Sequence, residues 1–261
     1  MTRPETIGPT PRVGGPHRSP IAFYYGQGRL EALAAFEKVV LQPSLYGPNE
    51  IAWLESRGTA TYAYLSLGED DAPPAPWHIG DVNADWGTAY VRPLHPVWVD
   101  SRVRAVESAA DIGYTGLFID TIDLASLYPE LRADMLSLVT LVRAAAGEAR
   151  VLANRGFSLL PELAGLVDGI VFESFSTAWT HASPGYRLLS SEELAVNSTV
   201  AHELGRFDLE LYALDYLPSP ELETFAKTRA ALYGMAWFAS NRAVDQLPEP
   251  PSSGGYCESP P

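Results

Sequence analysis

Short apolar runs and helical stretches alternate along this chain from one end to the other. Eight runs read as buried strands: Ile21–Tyr25, Val39–Leu41, Thr61–Leu67, Gly116–Ile119, Arg150–Ala153, Gly169–Phe172, Leu209–Leu214 and Met235–Ala239. They are rich in aliphatic and aromatic side chains and mostly too short for helices. The stretches between them carry helical periodicity, at Arg29–Phe36, Asn49–Arg57, Trp98–Ala110, Leu131–Ala146, Leu160–Val167, Ser191–Leu204 and Pro220–Leu232. Leu131–Ala146, for example, sets Leu131, Met135, Leu138, Val139 and Val142 on one face. Ser190-Ser191-Glu192-Glu193 and Ser219-Pro220-Glu221 supply helix-start chemistry. Strict strand–helix alternation implies a parallel sheet covered by helices. Eight strands predict an α/β fold of the single (β/α)8 TIM-barrel type, against an open α/β sheet as the alternative. Little chain follows the eighth strand, so the last helix is expected to be short or missing.

No linker divides residues 20–246, which read as one domain. Residues 1–19 and the Pro/Ser/Gly-rich tail 247–261 hold too little apolar surface to order themselves and are expected to lie outside the fold as disordered segments. The first 19 residues contain no apolar stretch of the secretory kind. As written the chain therefore reads as cytoplasmic, and as exported if its start is truncated or misassigned. A net charge of −14 argues against nucleic acid as a partner, since phosphate binding needs a basic face. No run of about 18 apolar residues is present to span a membrane. Cys257, the one cysteine, excludes an intrachain disulfide and a thiolate metal cluster. A monomer is expected.

In a barrel of this type the chemistry gathers at the C-terminal ends of the strands. Those ends here are Tyr64-Leu65-Ser66-Leu67-Gly68-Glu69, Leu117-Phe118-Ile119-Asp120-Thr121-Ile122-Asp123, Leu152-Ala153-Asn154-Arg155-Gly156, Val171-Phe172-Glu173-Ser174-Phe175 and Leu214-Asp215-Tyr216. An acidic residue directly after an apolar strand is costly unless it lines a polar pocket. Alternation places Asp120 on the face of Phe118 and Glu173 on that of Val171, aiming both carboxylates at the barrel mouth. Two converging carboxylates suit glycoside hydrolysis: one donates a proton to the leaving oxygen, and the other attacks the anomeric carbon or activates water. Aromatic rings suit the apolar faces of sugars. The loop from Asp70 to Val97 carries Trp77, His78, Trp86, Tyr90 and His95, and its length suggests function. Tyr24, in the first strand, and Trp86 are the aromatic side chains expected to meet substrate.

Other motifs carry less. Gly26-Gln27-Gly28-Arg29-Leu30-Glu31 lacks the third small residue of a dinucleotide fingerprint. His202-Glu203-Leu204-Gly205-Arg206 lacks the second histidine of a zinc-protease helix. The histidines at 17, 78, 95, 181 and 202 show no ligand spacing, and Asn197-Ser198-Thr199 is a formal glycosylation triplet on a helix. No nucleophile elbow of the Gly-x-Ser-x-Gly kind is present. Neither a cofactor nor a metal is expected.

The motifs Tyr64–Glu69, Asp85-Trp86, Gly116–Asp123, Asn154, Phe172-Glu173-Ser174 and Leu214-Asp215-Tyr216, in that order at successive strand ends, resemble glycoside hydrolase family 114. That family contains endo-α-1,4-polygalactosaminidases and many uncharacterised bacterial barrels, and the likeness runs from about Ile21 to Ser240. It implies cleavage of an α-1,4-linked galactosamine-containing polysaccharide or a related α-glycan, with retention. Asp120 and Glu173 are then the catalytic pair, with Asp120 as nucleophile and Glu173 as acid/base by analogy with other α-retaining barrels. Glu69, Asp123, Asn154, Asp215 and Tyr216 would hold sugar hydroxyls or a cationic amine. Two rival readings stand beside it. In one, Glu69, Asp120, Asp123, Glu173 and Asp215 bind Mg²⁺ in a metal-dependent barrel enzyme. In the other, the barrel binds carbohydrate without turning it over.

Overall fold

Parallel pairing decides the architecture. In the computed structural model, which describes residues 18–180, 185–216 and 221–248, the elements in chain order are β1 (Ser19–Tyr24), α1 (Leu30–Leu33), β2 (Phe36–Leu41), α2 (Pro48–Ser56), β3 (Ala60–Ser66), β4 (Glu69–Asp70), β5 (His78–Asn83), β6 (Thr88–Val91), α3 (Pro96–Ile112), β7 (Gly116–Asp120), α4 (Leu124–Leu127), α5 (Arg132–Ala146), β8 (Arg150–Asn154), β9 (Gly169–Glu173), β10 (Thr177–Thr180), β11 (Gly185–Leu188), α6 (Ser191–Leu204), β12 (Glu210–Tyr216), α7 (Glu221–Leu232) and β13 (Ala236–Ser240). Eight of the strands form one sheet in the order β1-β2-β3-β7-β8-β9-β12-β13, every adjacent pair parallel. The two ends of that sheet, β1 and β13, come together through Phe23 and Phe238, whose ring centroids lie 5.8 Å apart. Just above, the Tyr25 amide donates to the Val244 carbonyl at 2.7 Å. The result is a nearly closed (β/α)8 TIM barrel, all eight expected strands in place. No helix follows β13 among the described residues 241–248.

Phe23 sits at the heart of the barrel, edge-on to Phe118 at 5.4 Å. Outside the sheet, α5 buries Met135, Leu138, Val139 and Val142, the apolar face read from its periodicity. At the other mouth, Glu210 collects Lys38 at 3.5 Å, Arg150 at 3.3 Å and the Tyr212 hydroxyl at 2.8 Å. Ionic side chains thus fill the end of the barrel opposite the strand C-termini.

Four local expectations change. The helix expected over Arg29–Phe36 shrinks to the single turn α1, because Phe36 is already the first residue of β2, paired with Ser19. The helix expected over Leu160–Val167 is replaced by two 3₁₀ turns, Phe157–Leu159 and Glu162–Gly165. Pro161 holds Leu160 in extended backbone, which interrupts the helix. Ser19 belongs to β1, and the Arg18 guanidinium before it donates to the carbonyls of Gly58 at 2.7 Å and Ala34 at 2.9 Å. Finally, the loop after β3 carries the antiparallel sheet β4-β6-β5. Trp77 anchors it by stacking on Trp98 at 6.4 Å, and Asp70 accepts from Trp77 Nε1 at 2.7 Å and meets His78 Nε2 at 3.0 Å. Trp77 and His78 are therefore parts of the framework. Residues 1–17 and 249–261, with His17 and Cys257, lie outside the described residues, as do His181 and the Ser219-Pro220 helix start. Among the described residues no helix is long and apolar enough to cross a membrane.

Candidate active site

Five neighbouring barrel strands, β3, β7, β8, β9 and β12, each contribute one side chain to a hydrogen-bonded row at the C-terminal mouth. Tyr64 Oη donates to Asp120 Oδ2 at 2.8 Å. Asn154 Nδ2 donates to Asp120 Oδ1 at 2.8 Å and to Glu173 Oε2 at 2.5 Å. Tyr216 Oη donates to Glu173 Oε1 at 2.5 Å. Because one nitrogen serves both carboxylates, Asp120 Oδ1 and Glu173 Oε2 can be no further apart than the two bonds laid end to end, 5.3 Å.

Asp120, Asn154 and Glu173 are the last residues of β7, β8 and β9. Each is followed by a non-glycine residue in the left-handed region: Thr121 at φ 62°, Arg155 at φ 55° and Ser174 at φ 56°. L-residues adopt this conformation at a cost, and a β-branched one such as Thr121 rarely does so. The turn ends each strand directly after its functional side chain and leaves that side chain on the rim. The Thr121 hydroxyl holds its own turn in place: it accepts from the amides of Gly68 at 2.7 Å and Leu67 at 3.1 Å and donates to the Asp120 carbonyl at 2.6 Å. The Thr121 amide donates to Asp120 Oδ1 at 2.7 Å.

Burial raises both carboxyl groups above the ordinary carboxylate range, and for Glu173 the charge of Asp120 adds to it. Their hydrogen bonds pull the other way, three donors acting on Asp120 and two on Glu173. The phenols of Tyr25, Tyr64 and Tyr216 are pushed well above 10 by burial and by the two carboxylate charges, so they remain neutral donors.

The cleft over this row encloses ≈ 810 Å³ and is lined by Tyr25, Glu69, Trp86, Asp123 and Arg242 among others. Glu69 accepts from Asn83 Nδ2 at 3.0 Å and Thr88 Oγ1 at 2.5 Å. Asp123 is held by Arg155 Nε at 2.7 Å and the Gly156 amide at 3.0 Å, and Arg155 Nη1 continues to the Glu173 carbonyl at 3.2 Å. Trp86, 55% exposed, forms part of the wall with the Arg242 guanidinium 4.4 Å from its ring centroid. The same guanidinium lies 3.7 Å from the ring of Trp179, so the β5–β6 turn, β10 and the chain after β13 meet at one cation.

Two expected site residues are placed elsewhere. Tyr24 does not line the cleft: its hydroxyl donates to the Gln27 carbonyl at 3.1 Å. Phe23 fixes the inward parity of β1, so the next inward residue is Tyr25, which packs edge-on against Tyr64 at 5.2 Å. Asp215 is fully buried between the inward-facing Leu214 and Tyr216. It accepts from the amides of Ser176 at 2.7 Å and Thr177 at 2.9 Å and from Trp237 Nε1 at 3.1 Å, which fixes the chain leaving Glu173. Tyr25 and Tyr64 are the residues that the sequence reading missed, and strand parity was the signal for both. Among the described residues, no three His, Cys, Asp or Glu side chains converge as a metal site.

A parallel eight-stranded barrel with paired carboxylates at the ends of its fourth and sixth strands is the frame of a TIM-barrel glycosidase. The chain belongs to glycoside-hydrolase family GH114, whose model matches residues 37–235. The glycoside hydrolase domain of PelA from Pseudomonas aeruginosa is 27% identical, with a TM-score of 0.80 over 88% of this chain and 98% of that one. Aspergillus fumigatus Ega3, solved in complex with galactosamine, is 14% identical with a TM-score of 0.68 over 87% of this chain and 92% of that one, a likeness of fold. So is that to TtGalA, an α-galactosidase from Thermus thermophilus solved with stachyose: 16% identity and a TM-score of 0.57 over 90% of this chain and 63% of that one. No curated protein sequence matches the chain. The protein is a glycoside hydrolase.

Proposed function

We propose that the protein hydrolyses an α-1,4-linked galactosamine-containing polysaccharide, or a related α-glycan, with retention at the anomeric carbon. Asp120 attacks that carbon while Glu173 gives its proton to the leaving glycosidic oxygen. The C1–O bond to the departing sugar breaks as a C1–O bond to Asp120 forms. Water then attacks C1 from the vacated side, gives its proton to Glu173 and releases Asp120, so each group returns to its starting state.

The observation that carries this reading is the single Asn154 nitrogen shared by both carboxylates. It keeps their nearest oxygens within 5.3 Å, against a separation of roughly 5–5.5 Å for retaining pairs and roughly 6.5–9.5 Å for inverting ones. The order of ionisation agrees. Asp120 has the additional Thr121 amide to stabilise its anion, whereas the Asp120 charge adds to burial in raising Glu173 and favours its protonated form. The substrate class rests on the family and on the galactosamine-bound neighbour Ega3. A net charge of −14 favours a polymer made cationic by free amines.

The test is reducing-end release from partly deacetylated α-1,4-galactosaminogalactan, with the anomer of the new end read by NMR before it mutarotates. An α-anomer from wild type, and product release lost or cut by orders of magnitude in Asp120→Asn and Glu173→Gln, is the expected result. A β-anomer would replace retention with inversion, and full activity with a chelator present would set the metal-dependent reading aside.

A further inference from the structure

We infer that Asn154, Tyr64 and Tyr216 are positioning residues that select which oxygen of each carboxylate reacts, leaving Asp120 Oδ2 to attack and Glu173 Oε1 to carry the proton. The inference rests on the reaction proposed above and specifies how its site is set.

The argument is a count of donors, oxygen by oxygen. Asp120 Oδ1 accepts twice, from Asn154 Nδ2 and from the Thr121 amide, which occupies both of its lone-pair directions. Asp120 Oδ2 accepts once, from Tyr64, and keeps one direction open. Glu173 Oε2 accepts from an amide NH₂ group, which cannot accept in return. A proton on Glu173 therefore settles on Oε1, where the facing group is the Tyr216 hydroxyl. A hydroxyl can turn from donor to acceptor as the acid gains and loses its proton, and an amide cannot.

Asn154 is thereby committed. Both of its hydrogens are given to carboxylates, and its Oδ1 is buried with no hydrogen-bond partner among the described residues. It could hold a sugar hydroxyl through Nδ2 only by releasing one of the two acids. Tyr216 is likewise occupied by Glu173 in either protonation state. Both were expected from sequence to contact substrate, and the geometry turns them toward the carboxylates.

The charged and titratable groups facing the pair come from every side. Tyr25 reaches it from β1, Tyr64 from β3, Arg155 from the end of β8 and Tyr216 from β12, while Asp123 bears on Asp120 from the loop after β7. Removal of one phenol changes one hydrogen bond and leaves these charges in place.

The experiment is a carboxyl ¹³C NMR titration of the full chain, wild type against Tyr216→Phe, Tyr64→Phe and Asn154→Ala, with kcat and KM measured across pH on the cleaved glycan. A hydrogen bond to the anion lowers a carboxyl midpoint, so its loss raises it. Tyr216→Phe should raise the Glu173 midpoint by about one pH unit and carry the basic limb of kcat upward with it, at nearly unchanged KM. Tyr64→Phe should act on Asp120 instead, and Asn154→Ala on both. An unmoved Glu173 midpoint in Tyr216→Phe would overturn the inference. So would an Asn154→Ala variant with raised KM and unmoved midpoints, which would make Asn154 a substrate ligand. If Asn154→Ala does not fold, Asn154→Ser and the two phenylalanine variants decide. The titration needs no substrate. Absence of any hydrolysis would therefore sink the proposed function while the hydrogen bonds that set the two carboxyl groups are still read directly.

Discussion

The carbonyl oxygen of Thr121 lies 2.1 Å from where a Cβ on Gly68 would stand. Two strand ends are locked together at that point, since the Gly68 amide also donates to the Thr121 hydroxyl. Gly68→Ala should therefore displace Thr121 and, through it, Asp120. The expected result is a loss of about 1–3 kcal/mol of stability from overpacking, with kcat falling further than that loss explains. Thermal unfolding and steady-state kinetics check it, and a variant with wild-type kcat would separate the contact from Asp120.

Asp120→Asn and Glu173→Gln fit their hydrogen-bond partners, because each amide nitrogen can donate to a tyrosine while its oxygen still accepts from Asn154. Loss of activity in these variants thus reports chemistry and not collapse. Glu173→Gln should lower kcat by roughly 10²–10⁴-fold, the usual worth of a general acid.

The same variants predict a gain in stability at neutral pH. Burial raises Glu173 above the ordinary glutamate value of 4.5, so its protonated form favours folding and its ionised form opposes it. The favourable contribution is complete below about 4.5 and is lost as pH rises through the folded-state value. Glu173→Gln, which never ionises, should melt higher than wild type at pH 7. That advantage should shrink as pH falls toward 4.5. Calorimetry at the two pH values tests the sign.

Asp215→Ala would strand two backbone amides and the Trp237 indole in the interior. At roughly 1–3 kcal/mol for each buried group left unpaired, unfolding should shift by several kcal/mol. KM should change little. A raised KM at unchanged melting temperature would return Asp215 to the substrate.

Arg242→Ala frees Trp86 and Trp179 from their shared cation. A partly exposed cation–π contact contributes about 0.5–2 kcal/mol, so KM should rise severalfold while kcat holds. A fall in kcat with constant KM would place Arg242 nearer the chemistry.

The strand pattern carried the barrel, because a parallel strand buried on both faces must be a continuous apolar run, and such runs are visible in one dimension. The same runs placed Asp120 and Glu173 at strand ends of matching parity. Parity was also the point of failure. Asp215 and Tyr216 are adjacent in a strand and cannot both face the cleft, and which of Tyr24 and Tyr25 points inward depends on Phe23 meeting Phe118 across the barrel. The sheet hidden in the loop after β3 rests on Trp77 against Trp98, a contact that local periodicity does not encode. Only closure of the barrel brings β3, β7, β8, β9 and β12 side by side, and with it the row from Tyr64 to Tyr216. By itself the sequence determined the alternation, the strand ends and the acids that stand there. The tertiary structure decided which atoms of those acids are bonded and which are open, because that choice depends on Tyr64, Asn154 and Tyr216, which lie 19 to 56 residues away in the chain.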